Sequence, residues 1–201
     1  SRVLFGKGSI LPIPDIDRCD YFLCLGANPI VSQGSLMSAP GIKKKLRAVQ
    51  DRGGRFVVVD PRRTESADVA DEHLFIRPGS DAYFLFSLVN VIFREDLVSL
   101  GRLEAFTDGV EEIRILAEEF SPEATASATG IPAETTQRIA RELASHPHAC
   151  VYGRIGTCTV EFGTLASWLH DVVNILLGRY EEPGGMMFPR PATGQHEPGN
   201  P

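Results

Sequence analysis

Two runs decide the fold: Tyr21-Phe22-Leu23-Cys24-Leu25-Gly26 and Phe56-Val57-Val58-Val59-Asp60-Pro61. Each is apolar without a break, and each ends on a residue that stops it. A short continuous apolar run fits a strand buried on both faces. Between them, Ile42, Leu46 and Val49 recur at i, i+4, i+7, with Lys43, Lys44, Lys45 and Arg47 on the wet side. That spacing predicts a helix, entered after Pro40-Gly41 and closed by Gly53-Gly54. Strand, helix, strand is a βαβ unit: two parallel strands with a right-handed crossover.

The pattern extends outward. His73-Leu74-Phe75-Ile76 reads as a third, shorter strand, cut by Pro78-Gly79. Asp81 to Phe93 is apolar nearly all round and predicts a buried helix. Glu111 to Phe120 is amphipathic, and Pro122 and Pro132 sit where first helical turns accept proline. Ala149-Cys150-Val151-Tyr152 is a fourth strand. Gly153-Arg154-Ile155-Gly156 turns the chain into a last helix, about Gly163 to Leu177, closed by Gly178. Alternating strands and helices give an α/β class: a three-layer Rossmann-like domain with a mainly parallel sheet of four to six strands. This domain spans 1–182; the tail, 183–201, is rich in Gly and Pro and reads as irregular.

Charge limits the partners. The chain has 201 residues, with 20 Lys and Arg against 26 Asp and Glu, for a net charge of −6. An acidic protein lacks the basic face of a general nucleic-acid binder. One anionic ligand is still allowed, because backbone amides can hold it. No run of 18 apolar residues predicts a membrane span. The four cysteines, Cys19, Cys24, Cys150 and Cys158, match no zinc or iron–sulfur spacing and read as reduced thiols. A cytoplasmic location is expected, and the opening Ser1-Arg2-Val3 reads as the interior of a longer protein.

Ligands of open parallel sheets bind beyond the carboxyl ends of the strands. That selects four loops. Gly26 lets a backbone or ligand come close, and Asn28 offers donors and an acceptor, or else makes a plain Asn-Pro turn. Asp60 ends a strand where an acid can hold ribose hydroxyls, or is a turn residue before Pro61. Arg62 can reach phosphate or stack on a base, or is a solvated surface arginine. Asp81 can accept from both donors of a guanine edge, or is a charge at a helix N-terminus. On the last helix, Ser167, His170, Asp171 and Asn174 fall at i, i+3, i+4, i+7. This polar stripe is either a solvated face or the wall of a cleft.

Gly26-Ala27-Asn28-Pro29, then Val57 through Glu65, Ala70-Asp71 and Ile76 through Asp81, in this order and spacing, resemble the molybdopterin-dinucleotide oxidoreductases of the dimethyl-sulfoxide reductase and formate dehydrogenase type. Thr129-Gly130-Ile131-Pro132, Ala140-Arg141, Gly153 through Gly156, Phe162-Gly163, Asn174, Gly178 and Pro183-Gly184-Gly185 continue the resemblance, from about Asp15 to Phe188. It implies an internal α/β domain that helps to cradle one of two molybdopterin guanine dinucleotides. It implies a pyrophosphate near Asn28 and its loop, with Gly26 and Ser32. It places Asp60 and Arg62 around the guanosine, and Pro78, Gly79 and Asp81 at the guanine. Arg154, Gly156, Thr157 and Thr159 fall on the pterin side.

In such enzymes the iron–sulfur cysteines and the molybdenum ligand precede this stretch, and a further cofactor domain follows it. The resemblance therefore implies a fragment, inactive alone, of an oxidoreductase whose molybdenum and iron–sulfur cluster belong to the full-length protein. Its partners are the N- and C-terminal domains of the same polypeptide and a redox partner of the whole enzyme. No catalytic residue and no metal ligand is assigned within the chain. Two other readings stand beside this one. The first is a non-catalytic scaffold, as in the iron–sulfur subunit of respiratory NADH dehydrogenase; Asp60, Arg62 and Asp81 argue against it. The second is an unrelated nucleotide-binding α/β domain, weakened by the lack of a Gly-rich fingerprint.

Overall fold

In the computed structural model, which describes Phe5 and residues 11–189, the apolar runs become strands. In chain order the elements are β1 (Ile13–Pro14), β2 (Tyr21–Leu25), α1 (Pro29–Ser32), α2 (Ile42–Asp51), β3 (Arg55–Val59), β4 (Glu72–Leu74), α3 (Asp81–Arg94) and α4 (Val110–Ala117). Then come α5 (Pro122–Thr129), α6 (Ala133–Ser145), β5 (Ala149–Gly153), α7 (Ile155–Cys158), α8 (Gly163–Leu176) and β6 (Met186–Met187). Four strands form one sheet in the order β4-β3-β2-β5, and every pairing in it is parallel.

Successive side chains of a strand point to opposite faces, and here both faces are dry. Tyr21, Leu23, Leu25, Val57 and Val151 pack with Leu85 and Leu88 of α3, Ile139 of α6 and Leu169 of α8. Phe22, Cys24, Phe56, Val58 and Cys150 pack the other way, against Ile42, Leu46 and Val49 of α2. These two cores make the three layers. A fully buried Leu, Val or Phe contributes about 1.5–3 kcal/mol relative to exposure, so the central strands hold much of the stability. Because both faces are apolar, polarity alone does not set strand register. Fixed points at the strand ends and edges do.

One such point lies on β5, an edge strand. Asn174 of α8 donates from Nδ2 to the Val151 carbonyl at 2.8 Å and accepts the Val151 N–H at 3.0 Å. The side-chain amide takes the place of a neighbouring strand. The amino end of the sheet carries another: Arg55 and Arg138 each bridge Glu72 and Glu142, and Tyr21 donates to Glu142 at 2.8 Å. This network ties α6 to three strands at the end opposite the loops that follow them.

The structure moves some expected boundaries. The third strand is Glu72–Leu74 rather than His73–Ile76. The chain leaves the sheet early because Arg77 N–H bonds to the Thr129 carbonyl at 2.8 Å, while Phe75 is exposed and packs on His73. The tail is not wholly irregular: Met186–Met187 pairs antiparallel with Ile13–Pro14. Two apolar residues between Gly185 and Phe188 are too short a run to signal a strand. Residues 190–201 lie outside the described residues. The polar stripe of α8 is not a solvated face, since His170 and Asn174 are buried.

Candidate functional site

The carboxyl ends of the parallel strands bring the four loops to one edge. At the centre, β2 and β5 end side by side. Gly26 has a left-handed backbone, φ +52°, which a glycine adopts without steric cost. Its carbonyl accepts the Gly156 N–H at 3.0 Å, and the Leu25 carbonyl accepts the Arg154 N–H at 3.2 Å. A Cβ on Gly26 would sit 2.7 Å from Thr157 N. Two bare backbones therefore meet where any side chain would hold them apart.

Asn28 does not simply face outward. Its Oδ1 accepts from Ser66 at 2.8 Å, and its Nδ2 donates to Glu65 at 2.7 Å. Ser66 is fully buried and also accepts the Ile30 N–H at 3.1 Å. The loop after β2 is thus stitched to the loop after β3. Asp60 shapes that second loop: its Oδ1 accepts the Arg62 N–H at 2.8 Å, and its carbonyl meets His73 Nε2 at 3.0 Å. The Arg62 guanidinium stays exposed, with Glu65 at 3.7 Å.

After β4 the chain turns through Pro78 and Gly79 into α3. Gly79 has φ +83°, and a Cβ there would meet nothing within 4 Å, so its backbone borders open space. Asp81 follows in the first turn of α3 and is 5% exposed. Burial pushes its carboxyl above the usual range; a hydrogen bond from its own backbone opposes this, and the negative charge of Asp60 adds to the rise. The two carboxyl groups thus stand on neighbouring loops past the ends of adjacent strands. Such a pair offers acceptors to a ligand rich in N–H or O–H donors.

The fourth loop is more inward than its sequence suggests. The Thr157 hydroxyl is buried and donates to the Arg154 carbonyl at 2.8 Å, and the Thr159 hydroxyl donates to the Ile155 carbonyl at 2.9 Å. Ser32, exposed at the end of α1, turns its hydroxyl to the Pro29 carbonyl at 3.5 Å. Beneath the loop, the His170 ring lies where a Gly153 side chain would start: a Cβ there would be 1.6 Å from Cε1. Its Nε2 is buried without a partner among the described residues.

Glu65, Ser66 and His170 are the positioning residues that the sequence did not single out as a group. Thr64-Glu65-Ser66 carries the right chemistry, but only the fold joins it to Asn28.

The molybdopterin oxidoreductase family profile matches residues 7–190. The chain belongs to that family. Over 144 residues it is 33% identical to the thiosulfate reductase molybdopterin-containing subunit of Salmonella typhimurium, a match covering 71% of this chain and 19% of that protein. Formate dehydrogenase H of Escherichia coli is 29% identical over 144 residues, covering 72% of this chain and 19% of that protein. The periplasmic nitrate reductase of Desulfovibrio desulfuricans is 27% identical over 194 residues, covering 92% and 25%. Acetylene hydratase from Pelobacter acetylenicus shares the fold, with a TM-score of 0.81 at 24% identity over 94% of this chain and 25% of that one. The chain thus spans about a fifth to a quarter of the length of these relatives.

The family implies a molybdopterin cofactor, and the residues fit one. The edge supplies open space beside Gly79, donors on Asn28 and Arg62, and the carboxyl groups of Asp60 and Asp81, while the close approach of Gly26 and Gly156 keeps side chains out of its centre. Family membership sets aside the unrelated nucleotide-binding domain, and these relatives favour the oxidoreductase reading over the scaffold.

Proposed function

We propose that this chain is the internal domain of a longer molybdopterin oxidoreductase and holds one molybdopterin guanine dinucleotide. The observation that carries the reading is that Asp60, after β3, and Asp81, at the start of α3, follow the carboxyl ends of adjacent parallel strands, with the open backbone of Gly79 just before Asp81. Two acceptors at one strand edge suit the N–H donors of a guanine and the hydroxyls of its ribose. Asp81 accepts from guanine, Asp60 from the ribose, and Arg62 neutralises phosphate. Asn28 and the backbone around Gly26 face the pyrophosphate, with Ser32 at the rim. Arg154, Gly156, Thr157 and Thr159 border the pterin. When bound, the cofactor supplies a metal for two-electron redox or oxygen-atom transfer; these residues bind and orient it.

The whole protein would carry molybdenum, an iron–sulfur cluster and further domains on either side, and this domain alone would not turn over. The test is the nucleotide released by mild acid from the purified full-length protein. GMP supports the reading, and CMP, AMP or no nucleotide overturns it. In parallel, Asp81→Ala should lower GMP and molybdenum content far more than melting temperature. Normal loading with a large fall in melting temperature would leave Asp81 as a helix-terminus charge.

A further inference from the structure

One contact at the edge is not needed to close the seam between the two loops, which buried Ser66 already holds. Glu65 is half exposed, yet its Oε2 accepts from Asn28 Nδ2 at 2.7 Å and forms an ion pair with the Arg62 guanidinium 3.7 Å away. The Asn28 amide does not turn freely, because buried Ser66 holds its carbonyl end at 2.8 Å and is itself held by Ile30 N–H. Ser66 thus aims the Asn28 NH2 group outward at a set point. A neutral amide donor and a guanidinium converging on one oxygen form the kind of donor set that receives a phosphate oxygen. In this chain a carboxylate oxygen fills that point.

We infer that Glu65 is an internal stand-in for the anionic part of the ligand, holding the Asn28 and Arg62 donors in place until a phosphate displaces it. The inference rests on the nucleotide reading above and adds a residue and a competition to it. Glu65 is poorly suited to a purely structural role: it bridges exposed groups, and exposed ion pairs add little stability. Displacement is cheap for the same reason, since the released carboxylate returns to water. The loop loses no buried contact when it goes, because Ser66 keeps the seam between the two loops closed.

The experiment uses full-length protein prepared without cofactor and titrated with GDP by calorimetry. Glu65→Gln removes the charge while keeping the shape, and Glu65→Ala removes the competitor. Both should bind GDP more tightly than wild type, by about two- to fivefold, the scale of one exposed ionic contact. Ser66→Ala, which frees the Asn28 amide to rotate, should bind more weakly, and Ser66→Thr, which restores the hydroxyl, should recover. Melting temperatures of the Glu65 variants should stay close to wild type. If wild type binds GDP and the Glu65 variants bind equally or more weakly, the stand-in role is wrong and the nucleotide reading survives. If neither wild type nor variants bind GDP, both fall together.

Discussion

Gly26 and Gly156 are back to back at the ends of adjacent strands: a Cβ on Gly156 would lie 2.8 Å from both the Cα and the carbonyl oxygen of Gly26. The contact is between backbones, so neither side can yield by a rotamer change. Gly156→Ala should therefore push the β5 loop away from β2 and destabilise by about 1–3 kcal/mol. Chemical denaturation checks the magnitude. Cofactor content should fall with it, since the loop borders the proposed pterin position.

Gly153→Ala meets a different obstacle, the His170 ring, with 1.6 Å between the new Cβ and Cε1. A side chain, unlike backbone, can be removed. The double variant Gly153→Ala/His170→Ala should be less destabilised than the sum of its two single variants. A coupling of about 1 kcal/mol or more in that direction is expected for residues in direct contact, and simple additivity would refute the contact.

Asn174 tests the edge of the sheet. Leucine in its place leaves the Val151 N–H and carbonyl buried without partners, at a cost of about 2–4 kcal/mol for the two groups. Aspartate is the sharper probe. It still accepts the N–H but has no donor for the carbonyl, so Asn174→Asp should remain destabilised at neutral pH and recover part of the loss in acid, where a protonated carboxyl can donate.

His170 and Asp171 are neighbours on α8 with opposite responses to pH. Burial lowers His170 from 6.5 to about 4 and raises Asp171 from 3.8 to about 6, the latter opposed by the Tyr180 hydroxyl hydrogen bond. For Asp171 the folded state holds the proton more tightly. Its stabilisation is full below about pH 4 and is lost as pH rises to about 6. For His170 the unfolded state holds the proton more tightly, so its stabilisation is full above pH 6.5 and is lost as pH falls toward 4. The two slopes nearly cancel between pH 4 and 6. Asp171→Asn should expose the His170 slope, with stability rising with pH, and His170→Gln should expose the opposite one. Melting temperatures across this range check both, and parallel curves for the two variants would count against the assignment.

The fold was legible because its three longest strands hold unbroken apolar runs and α2 between two of them carries a 3.6-residue stripe. Tyr21–Leu25, Ile42–Val49 and Phe56–Val59 alone give the βαβ unit. The candidate loops were legible by position: the rule that ligands lie past strand ends picks out Asp60 and Asp81, and the structure sets both after the carboxyl ends of adjacent parallel strands. What each side chain bonds was not legible. Asn28 lies 37 and 38 residues from its partners Glu65 and Ser66, and no local pattern spans that distance. The polar stripe of α8 stayed ambiguous for a related reason. Periodicity reports which residues share a face, not whether that face meets water, and here it meets the edge of a strand. The pair Met186–Met187 escaped because two residues carry no period at all.

By filling both hydrogen-bonding groups of Val151, Asn174 also decides how this sheet can grow. An open edge strand is a template for another chain, and proteins blunt such edges to avoid pairing. Here a side chain occupies the template at its middle residue, so a visiting strand would have to evict Asn174 before gaining a ladder. The opposite edge is β4, only three residues long. Strand addition is therefore blocked on one side and short on the other. On this sheet, the loops past the strand ends can therefore change without making it adhesive.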